Sequence, residues 1–154
     1  MVETEKEVPA GANKEDVFML KDRVPYYYNV CDCNCAETVL RCANDEWNLN
    51  LSADAFRAIA PFGGGCGCGR FCGAVAGGLA ALGEMQIKVR AHVTEGFPEL
   101  CAEFTQACEE HLGSVKCETL KEMYRTEEER CIKTVLLAAE VLQKQVESLN
   151  KTEE

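Results

Sequence analysis

Residues 62–83, FGGGCGCGRFCGAVAGGLAALG, constrain the fold of this chain more than any other stretch. The first part places Cys66, Cys68 and Cys72 among six glycines, and the second part is apolar but unusually rich in glycine for a helix. Glycine costs backbone entropy and has no side chain to pack, so it is retained where the backbone turns sharply or approaches another group closely. Three soft thiols in such a turn predict that this other group is a metal–sulfur centre.

Composition limits the class of protein. With 154 residues, 47% of them hydrophobic, the chain can form one domain with its own core and needs no metal merely to fold. A net charge of −10 argues against nucleic acid or an anionic membrane surface as partners, because both attract clustered Lys and Arg. The longest apolar stretch, residues 71–83, is shorter than the roughly 20 residues that span a bilayer, so no membrane insertion is predicted.

The cysteine count predicts the compartment. There are 11 cysteines, an odd number that disulfides cannot absorb completely. The first residues, MVETEKEVPAGANKED, are acidic and polar and lack the apolar segment of a secretory signal. Since disulfide frameworks belong mainly to small secreted domains, we expect a reducing, cytoplasmic environment in which thiols are kept for metal or redox chemistry.

Apolar periodicity predicts an all-α fold, a compact bundle of about five to seven helices around a buried central helix. The central helix is expected at about residues 70–82, because its Gly and Ala residues leave it apolar on nearly every side. The predicted organisation is a disordered tail at 1–12, one helical cysteine-rich domain at 13–149 and a tail at 150–154. Further helices are predicted at 13–23, 34–47, 52–61, 98–111, 116–124 and 127–149, with a connector at 84–96.

One helix start carries three cysteines. Asn34 and Glu37 have the spacing of a capping box at the beginning of the helix that runs to Trp47. Cys31, Cys33 and Cys35 lie in and just after this capping loop. Because amide donors and the helix dipole stabilise a thiolate there, we expect these cysteines to have lowered pKa values.

The other cysteines fall into two groups. Three lie on apolar helical faces, where cysteine is most often a small core residue, namely Cys42, Cys101 and Cys108. Cys66 and Cys68 lie in the glycine turn, where no core explains them, and Cys72 follows Cys68 by one helical turn, so those two thiols are expected to converge. The tyrosines at residues 26–28 are predicted to pack on the core, the alternative being an aromatic wall beside a redox centre.

The thiol spacing matches neither a zinc ribbon, built on two C-x-x-C pairs, nor the bacterial ferredoxin run. An all-thiolate site suits an iron–sulfur cluster, zinc or Cu(I). Backbone amides around an iron–sulfur cluster stabilise its negative charge, and the glycine run is expected to supply such donors at Gly64, Gly65 and Gly67. This favours an iron–sulfur cluster, with the 4Fe–4S type as the first expectation.

Several motifs give the chain a resemblance to a known family. They are Asn34-Cys35-Ala36-Glu37, Gly63-Gly64-Gly65, Cys72-Gly73-Ala74-Val75-Ala76-Gly77, Leu112-Gly113-Ser114-Val115-Lys116-Cys117, and Cys131 at the last helix. Through them, residues 26–149 resemble the redox-active family named for its C_GCAxxG_C_C pattern, whose signature includes a CGAxxG block. The resemblance implies a redox role and four shared cysteines, namely Cys35, Cys72, Cys117 and Cys131.

The resemblance also bears on the cofactor and the oligomer. A related domain occurs beside an iron–sulfur site in split-Soret-type cytochromes, and the family raises the expectation of a homodimer, with packing of the heptad-patterned last helix on its own domain as the alternative. Four loop cysteines are additional to the shared set, namely Cys31, Cys33, Cys66 and Cys68. Together the eight thiols could ligate two cubane clusters or one larger cluster, because each cubane takes four.

Three functions fit the sequence. The first is an iron–sulfur protein that exchanges electrons with a redox partner protein or stores redox equivalents. The second is metal-free thiol–disulfide chemistry with Cys35 or Cys72 as a low-pKa nucleophile, although the chain has no C-x-x-C motif. The third is storage or delivery of zinc or copper. No acid–base pair marks a catalytic site, so the sequence leaves enzyme activity open.

Overall fold

The computed structural model describes residues 18–152. Over this range the α-helices are α1 (Cys35–Trp47), α2 (Ala53–Ile59), α3 (Gly73–Gln86), α4 (Phe97–Leu112), α5 (Cys117–Tyr124) and α6 (Ile132–Thr152). Shorter turns lie at Leu20–Arg23, Tyr26–Val30, Ala60–Phe62, Gly65–Gly69 and Ala91–Val93. This part of the chain contains isolated β-bridges but no strand, which confirms the predicted all-α class.

Helix α3 is the centre of the bundle and packs against α1, α4 and α6. Its small residues let the neighbouring helices come close. A Cβ on Gly77 would lie 2.5 Å from the carbonyl oxygen of Ala36 in α1, and a Cβ on Gly78 would lie 2.6 Å from the ring of Phe104 in α4. The predicted buried central helix is therefore confirmed, although it begins at Gly73 and not at residue 70.

Local sequence signals set several helix ends. The side chain of Asn34 accepts the amide of Glu37 at 3.0 Å, and the carboxylate of Glu37 accepts the amide of Asn34 at 3.2 Å, so the predicted capping box is present. Gly113, with a φ of 95°, ends α4 as predicted. The predicted start of the last helix at residue 127 is wrong. Thr126 and Arg130 pair backbone to backbone, and Arg130 has a φ of 54°, which a right-handed helix cannot include.

Helix α6 presents its heptad stripe to its own domain. Val135, Ala139 and Leu142 are fully buried on the side that packs against α3 and α4. The helix continues to Thr152, so residues 150–152, which were predicted to be a solvated tail, form its exposed end. The predicted tail at 1–12 and the first part of the helix predicted at 13–23 lie outside the described residues.

The core holds two of the three predicted core cysteines. Cys42 and Cys108 are fully buried, as expected. Cys101 is only half-buried, because it lies one position off the buried stripe that Leu100, Phe104 and Cys108 form on α4. None of the helices within residues 18–152 has both the length and the apolar character needed to cross a membrane.

Asn34→Ala should destabilise the protein by about 0.5–2 kcal/mol, the usual cost of removing a helix N-cap. The Asn34 side chain satisfies the amide of Glu37 and also donates to the carbonyl oxygen of Ala60 at 2.8 Å. Ser52, at the same position of α2, makes no capping hydrogen bond with its side chain, so Ser52→Ala is the control and should cost less than about 0.5 kcal/mol. Urea unfolding of the metal-free protein measures both changes, and equal losses would contradict the capping role.

Glu140 of α6 links two other elements. Its carboxylate accepts a hydrogen bond from Lys21 at 3.1 Å and lies 2.8 Å from a ring nitrogen of His111. Burial raises the pKa of Glu140, but the hydrogen bonds from His111 and Lys21 outweigh it, and the net pKa is lowered. The charged carboxylate therefore contributes stability above the pKa of the unfolded chain, and this contribution is lost as the pH falls through the lower, folded pKa.

Glu140→Gln should consequently reduce stability near neutral pH, by less than about 1 kcal/mol because all three side chains are partly exposed. The difference from wild type should fade as the pH falls below the ordinary pKa of glutamate and through the lowered pKa of Glu140 in the folded protein, where the carboxylate becomes protonated. Unfolding curves recorded across a pH series measure it. A difference of the same size at every pH would contradict the electrostatic origin.

Candidate metal centre

One cavity collects cysteines from distant parts of the chain. It has a volume of about 320 Å³ and opens to the surface. Its cysteines come from the start of α1, the start of α3, the start of α5 and the residue before α6; they are Cys33, Cys35, Cys72, Cys117 and Cys131. The four cysteines implied by the family resemblance are thus brought together, with Cys33 as a fifth.

Backbone amides surround the sulfur of Cys35, the first residue of α1. This sulfur accepts hydrogen bonds from the backbone N–H groups of Gly64 and Ala36. On its other side lies Gly73, where a Cβ would be 2.6 Å from the Cys35 sulfur and 2.7 Å from the carbonyl oxygen of Phe62. Glycine at this position therefore lets the backbone of α3 approach the thiol closely.

Two backbone hydrogen bonds tie the start of α3 to the start of α5. The amide of Cys72 donates to the carbonyl of Val115 at 2.8 Å, and the amide of Cys117 donates to the carbonyl of Arg70 at 2.6 Å. This short antiparallel bridge keeps residues 70–72 out of the helix, which explains why α3 begins after them. It also holds two of the cavity cysteines in a fixed relation.

Tyr28 holds Arg130 and Cys131, which precede α6, in place at the cavity. Its hydroxyl oxygen accepts the amide of Cys131 at 3.0 Å. The guanidinium of Arg130 lies 4.6 Å from the centre of the Tyr28 ring and donates to the Tyr28 carbonyl at 3.3 Å. Arg130 also pairs with Asp32 at 3.5 Å, and these two residues have left-handed φ values of 54° and 55°. Strained backbone of this kind in residues other than glycine tends to occur at functional sites.

Burial makes the cavity thiols weak acids. It raises the pKa of Cys35 and Cys117, and it raises the pKa of Cys72 to about 11. Negative charge on neighbouring thiols adds to the effect at each of the three. Amides at the start of α1 and of α3 oppose it only in part. The prediction that Cys35 or Cys72 is a low-pKa nucleophile is therefore wrong, because desolvation outweighs the helix-terminal amides.

Basic side chains dominate the charged part of the cavity wall. Lys121, Arg125 and Arg130 line it beside one carboxylate, Asp32. The charges of Lys121 and Arg125 partly oppose the rise in the pKa of Cys117. The whole chain is acidic, with a net charge of −10, so the excess of basic side chains is specific to this cavity and does not reflect the overall composition. The cavity therefore suits a group that is anionic when cysteine thiolates bind it.

The structure does not bring all eight predicted ligands together. Cys33 lines the cavity, but Cys31, Cys66 and Cys68 are exposed and lie outside its lining. Cys68 belongs to a turn with left-handed backbone, so the helical turn predicted between Cys68 and Cys72 does not exist. The reason is that Cys72 precedes α3 and is positioned by the bridge to α5.

The three predicted glycine donors occupy different places. Gly64 lines the cavity and donates to Cys35. Gly65 is buried behind Cys117, where a Cβ would lie 2.5 Å from the Cys117 Cβ. Gly67 is exposed and has no neighbour within 4 Å of a Cβ position. Only one of the three therefore contacts a cavity thiol through its amide.

Sequence reasoning missed the polar wall of the cavity. Tyr28 was predicted to pack on the core, and it does so with 5% of its surface exposed, but it also lines the cavity. Lys121 lies one helical turn after Cys117, and Arg130 directly precedes Cys131, so proximity in sequence could have indicated both. Nothing local marks Thr134, which enters the lining from the first turn of α6.

The four cysteines implied by the family resemblance lie close enough together for charge on one thiol to raise the pKa of another. Among residues 18–152, no group of three or more His, Cys, Asp or Glu side chains is arranged to hold a single metal ion.

A family model described as "Putative redox-active protein (C_GCAxxG_C_C)" matches residues 33–145, well over half of the chain. The matched range contains every cysteine that lines the cavity. Comparisons with curated proteins and with solved structures found no match. The predicted membership is confirmed, and the chain belongs to the C_GCAxxG_C_C family of redox-active proteins.

Proposed function

We propose that the protein is an iron–sulfur redox protein that binds one 4Fe–4S cluster in this cavity. The observation that carries the proposal is the convergence of Cys35, Cys72, Cys117 and Cys131 on the cavity from separate chain segments. A cubane cluster takes one thiolate at each of its four irons. When bound, such a cluster takes up and releases an electron, which suits electron transfer or storage of redox equivalents.

The donor set fits a cluster better than a single zinc ion. Zinc needs four ligands around one point, with each sulfur about 2.3 Å away. Among residues 18–152 no three such side chains are arranged around one ion, and the cysteines line a cavity of about 320 Å³. The amide donors of Gly64 and Ala36 at the Cys35 sulfur are groups that stabilise cluster charge and tune the reduction potential. Handling of zinc or copper by the same thiols is the alternative.

Charge supports the proposal as well. A cluster with four thiolates is anionic, and Lys121, Arg125 and Arg130 line the cavity in which it would lie.

Because burial raises the pKa of Cys35, Cys72 and Cys117, these thiols are protonated near neutral pH in the metal-free protein. Metal binding must displace those protons, so we expect iron occupancy to increase with pH.

The proposal includes a redox partner protein, because an electron carrier needs a donor and an acceptor. It includes a cytoplasmic location, because a reducing compartment keeps the cysteines as free thiols. It also includes a homodimer, for which sedimentation equilibrium is the test. A monomer at every concentration would remove the dimer without affecting the metal centre.

Metal analysis of protein purified without oxygen tests the central proposal. We expect about four iron and four sulfide per chain, together with broad visible absorption that decreases on reduction with dithionite. Protein that contains no iron and sulfide, or that contains zinc in their place, would overturn it. Values near eight iron per chain would favour two clusters.

A further inference from the structure

The turn Gly65–Gly69 carries two exposed thiols that the proposed cluster does not use. Cys66 and Cys68 are both exposed, and neither of them lines the cavity. A single glycine separates them in the sequence. Cys31 is exposed as well, but the cysteine two residues after it, Cys33, is buried. Only the glycine turn therefore presents two closely spaced cysteines to solvent, among those that the structure describes.

The turn is anchored at both ends to the walls of the cavity. The amide of Arg70 donates to the carbonyl of Gly65 at 2.9 Å and closes the turn. On one side the amide of Gly64 donates to the sulfur of Cys35, and on the other the carbonyl of Arg70 accepts the amide of Cys117 at 2.6 Å. The place of the turn on the surface is thus fixed, while its two thiols remain accessible.

The backbone brings the two cysteines within reach of each other. Gly67 has a φ of 72° and a ψ of 2°, so the chain folds back between Cys66 and Cys68. Cα atoms two residues apart are separated by at most about 7 Å, and by less where the chain folds back, whereas a disulfide joins Cα atoms about 4.4–6.8 Å apart. Glycine flanks each cysteine on both sides, so the turn can adjust its backbone as the sulfurs meet.

The two thiols are placed differently. The thiol of Cys68 donates to the carbonyl of Gly65 at 3.5 Å, within the turn. Cys66 has a left-handed φ of 61°, and strained backbone of this kind in residues other than glycine tends to occur at functional sites. Because Cys68 is engaged inside the turn, an approaching molecule meets Cys66 first.

We propose that Cys66 and Cys68 form a second redox site, an exposed dithiol that undergoes thiol–disulfide exchange with an incoming disulfide. The Cys66 thiolate attacks one sulfur of that disulfide, whose sulfur–sulfur bond breaks and releases one thiolate. The Cys68 thiolate then attacks the Cys66 sulfur, and the mixed disulfide breaks and releases the second thiolate. The dithiol loses two electrons and two protons, and the incoming disulfide gains them. The reaction requires no cluster in the cavity.

Trypsin isolates the proposed site for measurement. Cleavage after Arg57 and Arg70 releases residues 58–70, whose two cysteines are Cys66 and Cys68. Protein purified without oxygen is incubated with a small molar excess of oxidised glutathione, alkylated with iodoacetamide in denaturant, digested and analysed by mass spectrometry. We expect most of the wild-type peptide to lose the mass of two hydrogen atoms and to take up no alkyl group. A parallel reaction with insulin distinguishes a protein disulfide from a small one as the oxidant, and oxidation by either supports the site.

Serine variants separate the two roles. Cys68→Ser should accumulate one glutathione on Cys66, because no second thiol releases it, and Cys66→Ser should accumulate much less on Cys68. Cys31→Ser is the matched control, since Cys31 is exposed but lies outside the turn, and its 58–70 peptide should be oxidised as in wild type. Wild-type peptide that is alkylated at both cysteines after both reactions, or that retains glutathione, would overturn the proposal. Iron content measured on the same samples reports separately on the cluster.

Discussion

Cys72→Ser should remove most of the iron from protein purified without oxygen. Cys72 is 3% exposed and lies directly before α3, and no other cysteine of its segment reaches the cavity. A hydroxyl is a much harder and less acidic ligand than a thiol, so the remaining three thiolates should not retain a cubane. Iron and sulfide analysis with visible absorption measures the loss.

Cys108→Ser is the matched control. Cys108 is fully buried in α4, close enough to Cys72 for charge on Cys72 to raise its pKa, but it does not line the cavity. Both substitutions bury a hydroxyl in place of a thiol, so both should reduce stability by a similar amount. Only Cys72→Ser should lose iron. Equal iron losses in the two variants would show that impaired folding, and not the loss of a ligand, is the cause.

Gly77→Ala should destabilise the protein by about 1–3 kcal/mol, the usual cost of overpacking a tight interface. The new Cβ would lie 2.5 Å from the carbonyl oxygen of Ala36 and 3.2 Å from the Cβ of Val39, so α1 would have to move away from α3. The better helix propensity of alanine, about 1 kcal/mol, offsets this only in part. Because Ala36 follows Cys35, iron occupancy should decrease as well. Urea unfolding of the metal-free protein and iron analysis measure the two effects.

Gly83→Ala provides the comparison within the same helix. Around Gly83 the nearest atoms to a Cβ belong to Ile87 and Phe97, both at 3.8 Å, which is ordinary contact. Gly83→Ala should therefore increase the free energy of unfolding by about 0.5–1 kcal/mol, because alanine loses less backbone entropy on folding than glycine does. A loss of stability at Gly83 as large as that at Gly77 would contradict the role assigned to the close approach of α1 and α3.

Features that depend only on residues within one or two helical turns of each other could be predicted from the sequence. The capping box at Asn34 and the end of α4 at Gly113 were predicted correctly, because each uses hydrogen bonds within a few residues. The burial of α3 was predictable because its apolar residues cover nearly every side. Cys42 and Cys108 were placed in the core by the same periodicity.

Features that depend on distant pairing were predicted wrongly. The start of α3 was placed too early, since residues 70–72 pair with the segment before α5. The start of α6 was also placed too early. The backbone pairing of Thr126 with Arg130 holds the three glutamates at 127–129 in a turn that precedes the helix. The assumed convergence of Cys68 with Cys72 relied on a helix that does not extend that far.

The glycine and cysteine stretch at residues 62–83 was sufficient to predict a buried helix of small residues beside a sulfur-rich centre, since composition and short spacing control both. Which thiols share the cavity depends on how α1, α3, α5 and α6 assemble. Only the fold could therefore show that Cys33 lines the cavity, whereas Cys66 and Cys68 do not. The acidity of those thiols depends on desolvation by the whole domain, which no local pattern reports. The basic wall likewise forms only when the α5 end and the α6 start meet around the cavity.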